Sequence, residues 1–510
     1  MNRSLALPAL LPLAFLLLMV AAPLARLLQE GHAGFSLALL QDSYIQWRLL
    51  WSAGQALATC ALALLIGLPL AWVLARFDFA GRRLLLRMLM LPFVMPTLVA
   101  GMGVLALFGP HGVAGVNLQD TPWLLLYGNL FYNLPLLVRA GVDGLEQVPA
   151  SRLAVAHTLG ASPWRTFWRV EWPVVRPWLA SALCLIFLYC FAGFGLALLL
   201  GGQRYATVEV EIYTLVAYEL NLADAGVLAL LALGVGAAVA LAYAALERGL
   251  ARPQRLVPTL RTPAQGWPQR LLLASALTVL ALCCLLPLLA IVWRALQADA
   301  VVWEMLAEPE VLAALGNTLR FSGAALGLSL LLGLCHGWAA QRWLALRALV
   351  FLPFMVSPVC LAFGLLLLYP QYSASVGLLI AAYALLAYPF VAKGVLSAAT
   401  ALPPQLPQAA RTLGATPWRS FCRVSLPLMR PALRRGLAFA AATAVGEFAV
   451  SLFLSRPEWA TLTTLIYQHL GRPGAANLQL ALLLSCLLML FALLAFVVIE
   501  WPEKNHARAD

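Results

Sequence analysis

Polar and charged residues gather in short clusters along this chain, and between the clusters run long uncharged stretches with neither strand nor amphipathic-helix periodicity. Bounded by charges and Pro/Gly breaks, these runs fall near 5–28, 50–75, 84–108, 122–142, 177–200 and 225–246. A second set follows near 270–293, 312–340, 346–369, 375–395, 432–455 and 477–499. Each approaches the roughly 20 apolar residues that carry a helix through a bilayer core. The pattern predicts an all-α polytopic membrane protein of about twelve transmembrane helices, six on either side of a polar joint. The first run outlasts the roughly 7–15-residue core of a signal peptide and is expected to remain as a span.

Composition agrees and narrows the class. Of 510 residues, 63% are hydrophobic and 11% charged, against roughly 25% charged in a soluble domain, and the mean hydropathy is +0.88. A water-soluble globule is excluded. The net charge of +12 reads as topology rather than nucleic-acid binding, because the arginines collect in alternate loops. They lie at 76–87, 152–176, 248–270 (with Arg252 and Arg255), 342–347 (with Arg342) and 411–435, whereas the 201–224 and 294–311 loops are acidic. Positive loops stay inside, so both termini are expected in the cytoplasm. The nine cysteines lie in apolar runs without C-x-x-C or metal-ligand spacing, and read as packing residues.

Sliding the chain against itself by 254 residues aligns HTLGASPWRTFWRVEWPVVRPWLASAL (157–183) with RTLGATPWRSFCRVSLPLMRPALRRGL (411–437), 15 identities in 27 positions without a gap. The register continues from Pro135/Pro389 to Tyr213/Tyr467. The chain is a tandem duplication, and an even number of spans per half makes the copies parallel, a pseudo-dimer in one polypeptide. Expected domains are 1–250, with a loop at 143–176, and 270–510, with a loop at 397–430, joined by a Pro- and Arg-rich cytoplasmic linker at 251–269.

The repeated segment lies in a loop, where the general demand for apolar residues cannot explain its similarity. Helix-compatible stretches at 150–159 and 404–413 each meet a glycine, Gly160 or Gly414, suited to a left-handed C′ position. Ser162-Pro163 and Thr416-Pro417 then supply an N-cap and first helical residue. Trp164 and Trp418 follow, beside basic residues. Two readings fit: a short exposed helix that plugs a partner's groove, or aromatic anchoring at the lipid interface.

These segments resemble the "EAA" coupling loop of ATP-binding-cassette importer permeases. The family pattern is Glu-Ala-Ala, three residues, Gly, and a Leu-Pro pair about ten residues on. The first copy has Ala154-Val155-Ala156, Gly160 and Trp172-Pro173; the second has Gln408-Ala409-Ala410, Gly414 and Leu426-Pro427, so both lack the glutamate. The resemblance implies two tandem six-helix type I permease halves. It implies coupling residues Ala156, Gly160, Pro163, Trp164 and Pro173, with Ala410, Gly414, Pro417, Trp418 and Pro427. It also implies a homodimer of separate ATP-binding subunits, a periplasmic solute-binding protein, and alternation between inward- and outward-facing states. The fused form is similar to thiamine permeases and ferric-iron permeases, and 132–141, 191–216 and 445–454 resemble the thiamine type more.

No chemistry of an enzyme is legible. The chain lacks G-x-x-x-x-G-K-[ST], and its two lysines, Lys393 and Lys504, have no glycine-rich approach. No catalytic residue, metal site or cofactor on this chain is expected. Ionisable residues within spans are costly and mark paths, which makes Glu447 and His336 substrate-path candidates. Glu447 faces Gly193 in the repeat, and an acid beside Phe194 and Phe448 suits a cationic aromatic ligand. Glu447 reads equally well as a packing carboxylate bonded to a neighbouring helix, and His336 reads as hydrogen-bonded filler. Pro92/Pro96 and Pro353/Pro358 are expected to break or kink two spans. A proton-coupled transporter of twelve spans is the competing class, and it leaves the duplicated loop without a partner.

Overall fold

A computed structural model describes residues 7–33, 41–250, 261–341, 343–350, 352–373, 375–403 and 405–500. Arg252, Arg255, Arg342, Lys504 and residues 251–260 of the expected linker lie outside the described residues. Nearly every described residue is helical or in a turn between helices. Eight of the described helices are long and apolar enough to cross a membrane, and two bent pairs raise the number to ten if each is one span. The long helices include Ala9–Glu30, Ser43–Arg76, Pro163–Phe191, Leu222–Leu246, Trp267–Cys284, Pro309–Ala339, Val376–Thr400 and Ala475–Ile499.

The expected span at 84–108 is broken: Arg82–Val94 and Thr97–Phe108 meet at 97°, across Met95-Pro96. Its counterpart near 346–369 is likewise cut into Leu344–Leu349, Leu352–Met355 and Pro358–Leu368. In both, proline removes a backbone donor and excludes the helical conformation from the residue before it. The expected spans at 177–200 and 432–455 have different bounds. Their helices begin earlier, at Pro163 and Pro417, and stop at Phe191 and Val445, before the short helices Gly195–Leu200 and Ala449–Leu454. Uniform apolarity hid these breaks, since hydropathy does not register where a helix ends.

By internal contacts the chain forms two compact units. One comprises Met1–Ala33, Val94–Pro96 and Ala298–Asp510; the other comprises Gly34–Phe93 and Thr97–Gln297. Each unit therefore takes its opening helix from the other half of the duplicated sequence. In the first unit, the Pro309–Ala339 and Val376–Ala401 helices approach closely because Gly333 and Gly337 sit one turn apart. A Cβ on either glycine would lie 2.6 Å from Val391 or Val395, the small-residue contact that lets membrane helices pack without a hydrophobic driving force between them.

Breaks expose backbone groups that lipid cannot satisfy, and side chains take them up. In the second unit, Gln55 Nε2 donates to the Cys190 carbonyl at 2.8 Å, and Asn129 Nδ2 donates to Gln55 Oε1 at 2.7 Å. Val208 N, at the start of the helix Val208–Ala217 beyond the short one, donates to Ser52 Oγ at 2.8 Å. The first unit solves the same problem with other residues. Ser322 Oγ donates to the Ala444 carbonyl at 3.1 Å, and Leu462 N donates to Thr318 Oγ1 at 2.9 Å. Replacing Gln55→Leu strands a buried carbonyl and is expected to cost about 1–3 kcal/mol. Ser322→Ala should cost about 1 kcal/mol. Thermal unfolding in detergent, with the two variants compared, checks this order.

Candidate functional site

The duplicated loops have one backbone design. The helix Ala150–Thr158 ends on Leu159, and Gly160 takes a left-handed φ of +70°. Ala161 N donates to the Ala156 carbonyl and Gly160 N to the His157 carbonyl, both at 3.0 Å. This double closure is a Schellman motif, which uses up carbonyls that a helix end leaves unpaired. The second copy repeats it: Gln405–Thr412, Gly414 at +85°, Ala415 N to the Ala410 carbonyl at 3.0 Å, and Gly414 N to the Arg411 carbonyl at 3.1 Å. Ala156 and Ala410 thus carry the carbonyls that close the turn, and Ala156 is the buried residue of its helix.

Next, Ser162 and Thr416 cap the following helix, accepting from Arg165 N and Arg419 N, with Pro163 and Pro417 at the first helical position. Five residues on each side then widen into a π turn, Phe167–Glu171 and Phe421–Ser425. Trp172 N reaches back to the Phe167 carbonyl, and Leu426 N to that of Phe421. Pro173 and Pro427 follow immediately. A proline ring would press on the carbonyl four residues back in a regular α-turn, and the extra residue relieves that contact.

This scaffold presents large apolar side chains outward, beside the exposed arginines Arg152, Arg165, Arg411 and Arg419. Leu159 is 80% exposed and Trp164 70%; Leu413 is 88% and Trp418 61%. The tryptophans were legible from the sequence, but the leucines were missed; the Thr-Leu-Gly shared by both copies was the available signal. Behind Trp164 the first loop stacks an aromatic chain, with Trp164–Trp168 centroids at 5.5 Å and Trp168–Trp172 at 5.2 Å. The second loop carries Trp418 on Phe421 at 5.8 Å, and Cys422 and Leu426 replace the other two tryptophans.

The substrate-path candidates occupy helix breaks and cores. Glu447, half-buried, lies between the helix that ends at Val445 and the short helix Ala449–Leu454. Its Oε1 accepts from Val450 N at 3.0 Å, and its own carbonyl accepts from Thr463 Oγ1 at 3.0 Å. Phe448 is buried with its ring 5.4 Å from Tyr467; Phe194, also buried, lies 5.4 Å from Tyr213. His336 is fully buried, donates through Nε2 to the Leu346 carbonyl at 2.8 Å, and stacks on Tyr388. A carbonyl can only accept, so this bond sets the tautomer.

A model of the family described as binding-protein-dependent transport system inner membrane component matches residues 63–252 and 325–505, one segment in each half. The thiamine transport system permease protein of Escherichia coli (strain K12) is 30% identical over 504 residues, 93% of this chain and 92% of that protein. The protein of the same description from Haemophilus influenzae is 27% identical over 94% of both chains. The molybdenum transport system permease protein of Azotobacter vinelandii is 34% identical over 166 residues, 30% of this chain and 74% of that protein.

A Cβ built on Gly160 or Gly414 meets nothing within 4 Å, so substitution there costs backbone strain alone. Gly160→Val and Gly414→Val are each expected to destabilise the turn by about 1–2 kcal/mol while leaving the protein inserted. Limited proteolysis at the two loops, with unchanged membrane content, is the check.

Proposed function

Since the chain belongs to the family of binding-protein-dependent transport system inner membrane components, we propose that it is the membrane-spanning subunit of an ATP-driven importer that carries thiamine or its phosphate esters. The observation that carries this reading is similarity to thiamine permeases over more than nine-tenths of both proteins. As a multi-pass membrane component of such a system, the chain works with a binding protein and an ATPase. In the finer reading the ATPase is a homodimer of separate subunits, and this chain needs no cofactor of its own.

Each subunit of that homodimer receives one loop. The exposed Leu159–Trp164 and Leu413–Trp418 pairs are suited to seat in a groove, and the glycine turns behind them hold the pairs in one orientation. Ala156, Pro163 and Pro173, with Ala410, Pro417 and Pro427, shape the loops rather than touch the partner. Both termini and the 251–269 linker lie in the cytoplasm, between permease domains 1–250 and 270–510, and the periplasmic binding protein releases its cargo at the opposite face. Pumping requires that ATP and the loaded binding protein favour the same outward-facing state, because a ligand shifts an equilibrium only by its difference in affinity for the two states. A proton-coupled transporter would leave two such loops without a partner.

Glu447 is the acid we place beside the path. The residue is half-buried, and its bond to Val450 N holds the carboxylate in place. Phe194, Phe448 and His336 serve packing around the helix breaks in this reading, which fits their burial.

Restoring the gene to a deletion strain is expected to restore uptake of labelled thiamine at limiting external concentration, with labelled ferric iron unaffected. Iron uptake that follows the gene, with thiamine uptake absent, would overturn the substrate assignment. Glu447→Gln is expected to lower thiamine uptake about tenfold, the scale of one charge-assisted contact, and filter-binding uptake with equal membrane content of the two proteins measures it.

A further inference from the structure

The two loops share a backbone but not their attachment. Around the first, Glu171 lies inside the π turn with its side chain only 5% exposed, and Arg76 Nη2 reaches Glu171 Oε1 at 2.6 Å. Trp72 Nε1 donates to Glu171 Oε2 at 3.2 Å, and the Arg76 guanidinium lies 4.4 Å above the Trp72 ring. At the other end of the loop, Glu146 Oε1 accepts from Arg82 Nη2 at 2.7 Å and from Arg261 Nη2 at 2.9 Å. Arg82 is itself 4% exposed and holds the Leu74 carbonyl through Nε at 2.7 Å. Both acids are therefore gripped from the same corner, where the Ser43–Arg76 helix ends and the chain turns towards Arg82.

That corner is also where the tail of the linker docks. Phe77 pairs with Thr262 and Asp78 with Pro263 in a short parallel ladder, which brings Arg261 to Glu146. Glu171 and Arg82 are buried while their partners Arg76 and Glu146 are 28% and 26% exposed, so breaking either pair leaves one buried charge without its partner. The first loop is thus tied to that corner at both ends, directly through Arg76 and Trp72 at Glu171, and at Glu146 through Arg82, which in turn bonds the Leu74 carbonyl of the Ser43–Arg76 helix.

Among the described residues the second loop has no such ion pair. Positions related by 254 residues to Glu146 and Glu171 are Thr400 and Ser425, and no Asp or Glu occurs anywhere from 397 to 430, where Arg411, Arg419, Arg423 and Arg430 are the charged residues. Near-identical turn sequences are therefore held by unequal restraints.

We infer that Glu146 and Glu171 are positioning residues that clamp the first loop to the Ser43–Arg76 helix, so that the two loops transmit motion unequally. The clamped loop moves only with its helix, whereas the unclamped one can swing about its π turn before its helix follows. This rests on the coupling role proposed above for the loops, but the clamp can be tested apart from it.

Hydrogen–deuterium exchange of the whole chain in lipid nanodiscs, without partners, compares amides 150–166 with 404–420. The similar sequences give similar intrinsic rates, so a difference reports restraint. Exchange in the first loop is expected to be about tenfold slower, and the two loops should converge in the Glu146→Gln/Glu171→Gln variant. In the reconstituted importer the same variant should move less thiamine per ATP hydrolysed, and Glu171→Asp in an otherwise native chain, which keeps the charge, should retain the native ratio. Equal exchange of the two loops in the native chain overturns the clamp, and this comparison requires no variant to fold. Slow exchange in the first loop with no thiamine transport by the native complex would support the clamp while sinking the transport reading.

Discussion

The hydrocarbon core of a bilayer offers no hydrogen bonds, so a chain that interrupts its helices there must supply partners for the backbone it frees. Much of this structure follows from that constraint. At the break after Phe191, the Gln55 amide takes the Cys190 carbonyl; at the break after Val445, the Ser322 hydroxyl takes that of Ala444. Beyond the short helix that follows each break, the helices Val208–Ala217 and Leu462–Gly471 begin with an N–H given to a hydroxyl, Ser52 in one unit and Thr318 in the other. Glu447 belongs to the same set of solutions, since its carboxylate accepts from Val450 N where a short helix starts. Duplication preserved the need and let the residue types drift.

Outside the apolar runs the constraint is different, and so is the pattern of similarity. A loop that is solvated on one side can satisfy its backbone with water, so its stretch of near-identity has to preserve a shape. The shape is a helix closed by a Schellman turn, a capped second helix, and a π turn forced by a proline. Its product is a leucine and a tryptophan held outward in each copy. A rigid turn between two exposed apolar side chains lowers the conformational entropy lost when a partner grips them.

Function in such a protein is distributed. In the transport cycle proposed above, movement between states requires helices that can shift without exposing unpaired backbone, and breaks whose freed groups are already held by side chains on neighbouring helices suit that requirement. The bent pair at Met95-Pro96 and the short helices after Phe191 and Val445 are the places where the fold gives up regularity. The buried charges sit elsewhere, at the corner that anchors the first loop, and connect the loop to a transmembrane helix.

The sequence alone determined the class of protein, the duplication, the glycine turns at Gly160 and Gly414, the caps at Ser162 and Thr416, and the proline breaks. Those features depend on composition or on neighbours a few residues away, and local rules read them. Where the helices at 163–191 and 417–445 stop, and which half's opening helix joins which compact unit, depended on contacts between residues far apart in the chain. So did the burial of Phe194 and Phe448 against tyrosines, the cap made by Glu447, and the grip of Arg76 and Arg82 on Glu171 and Glu146. Hydropathy records whether a residue tolerates lipid but not which partner it meets, and only tertiary packing decides that.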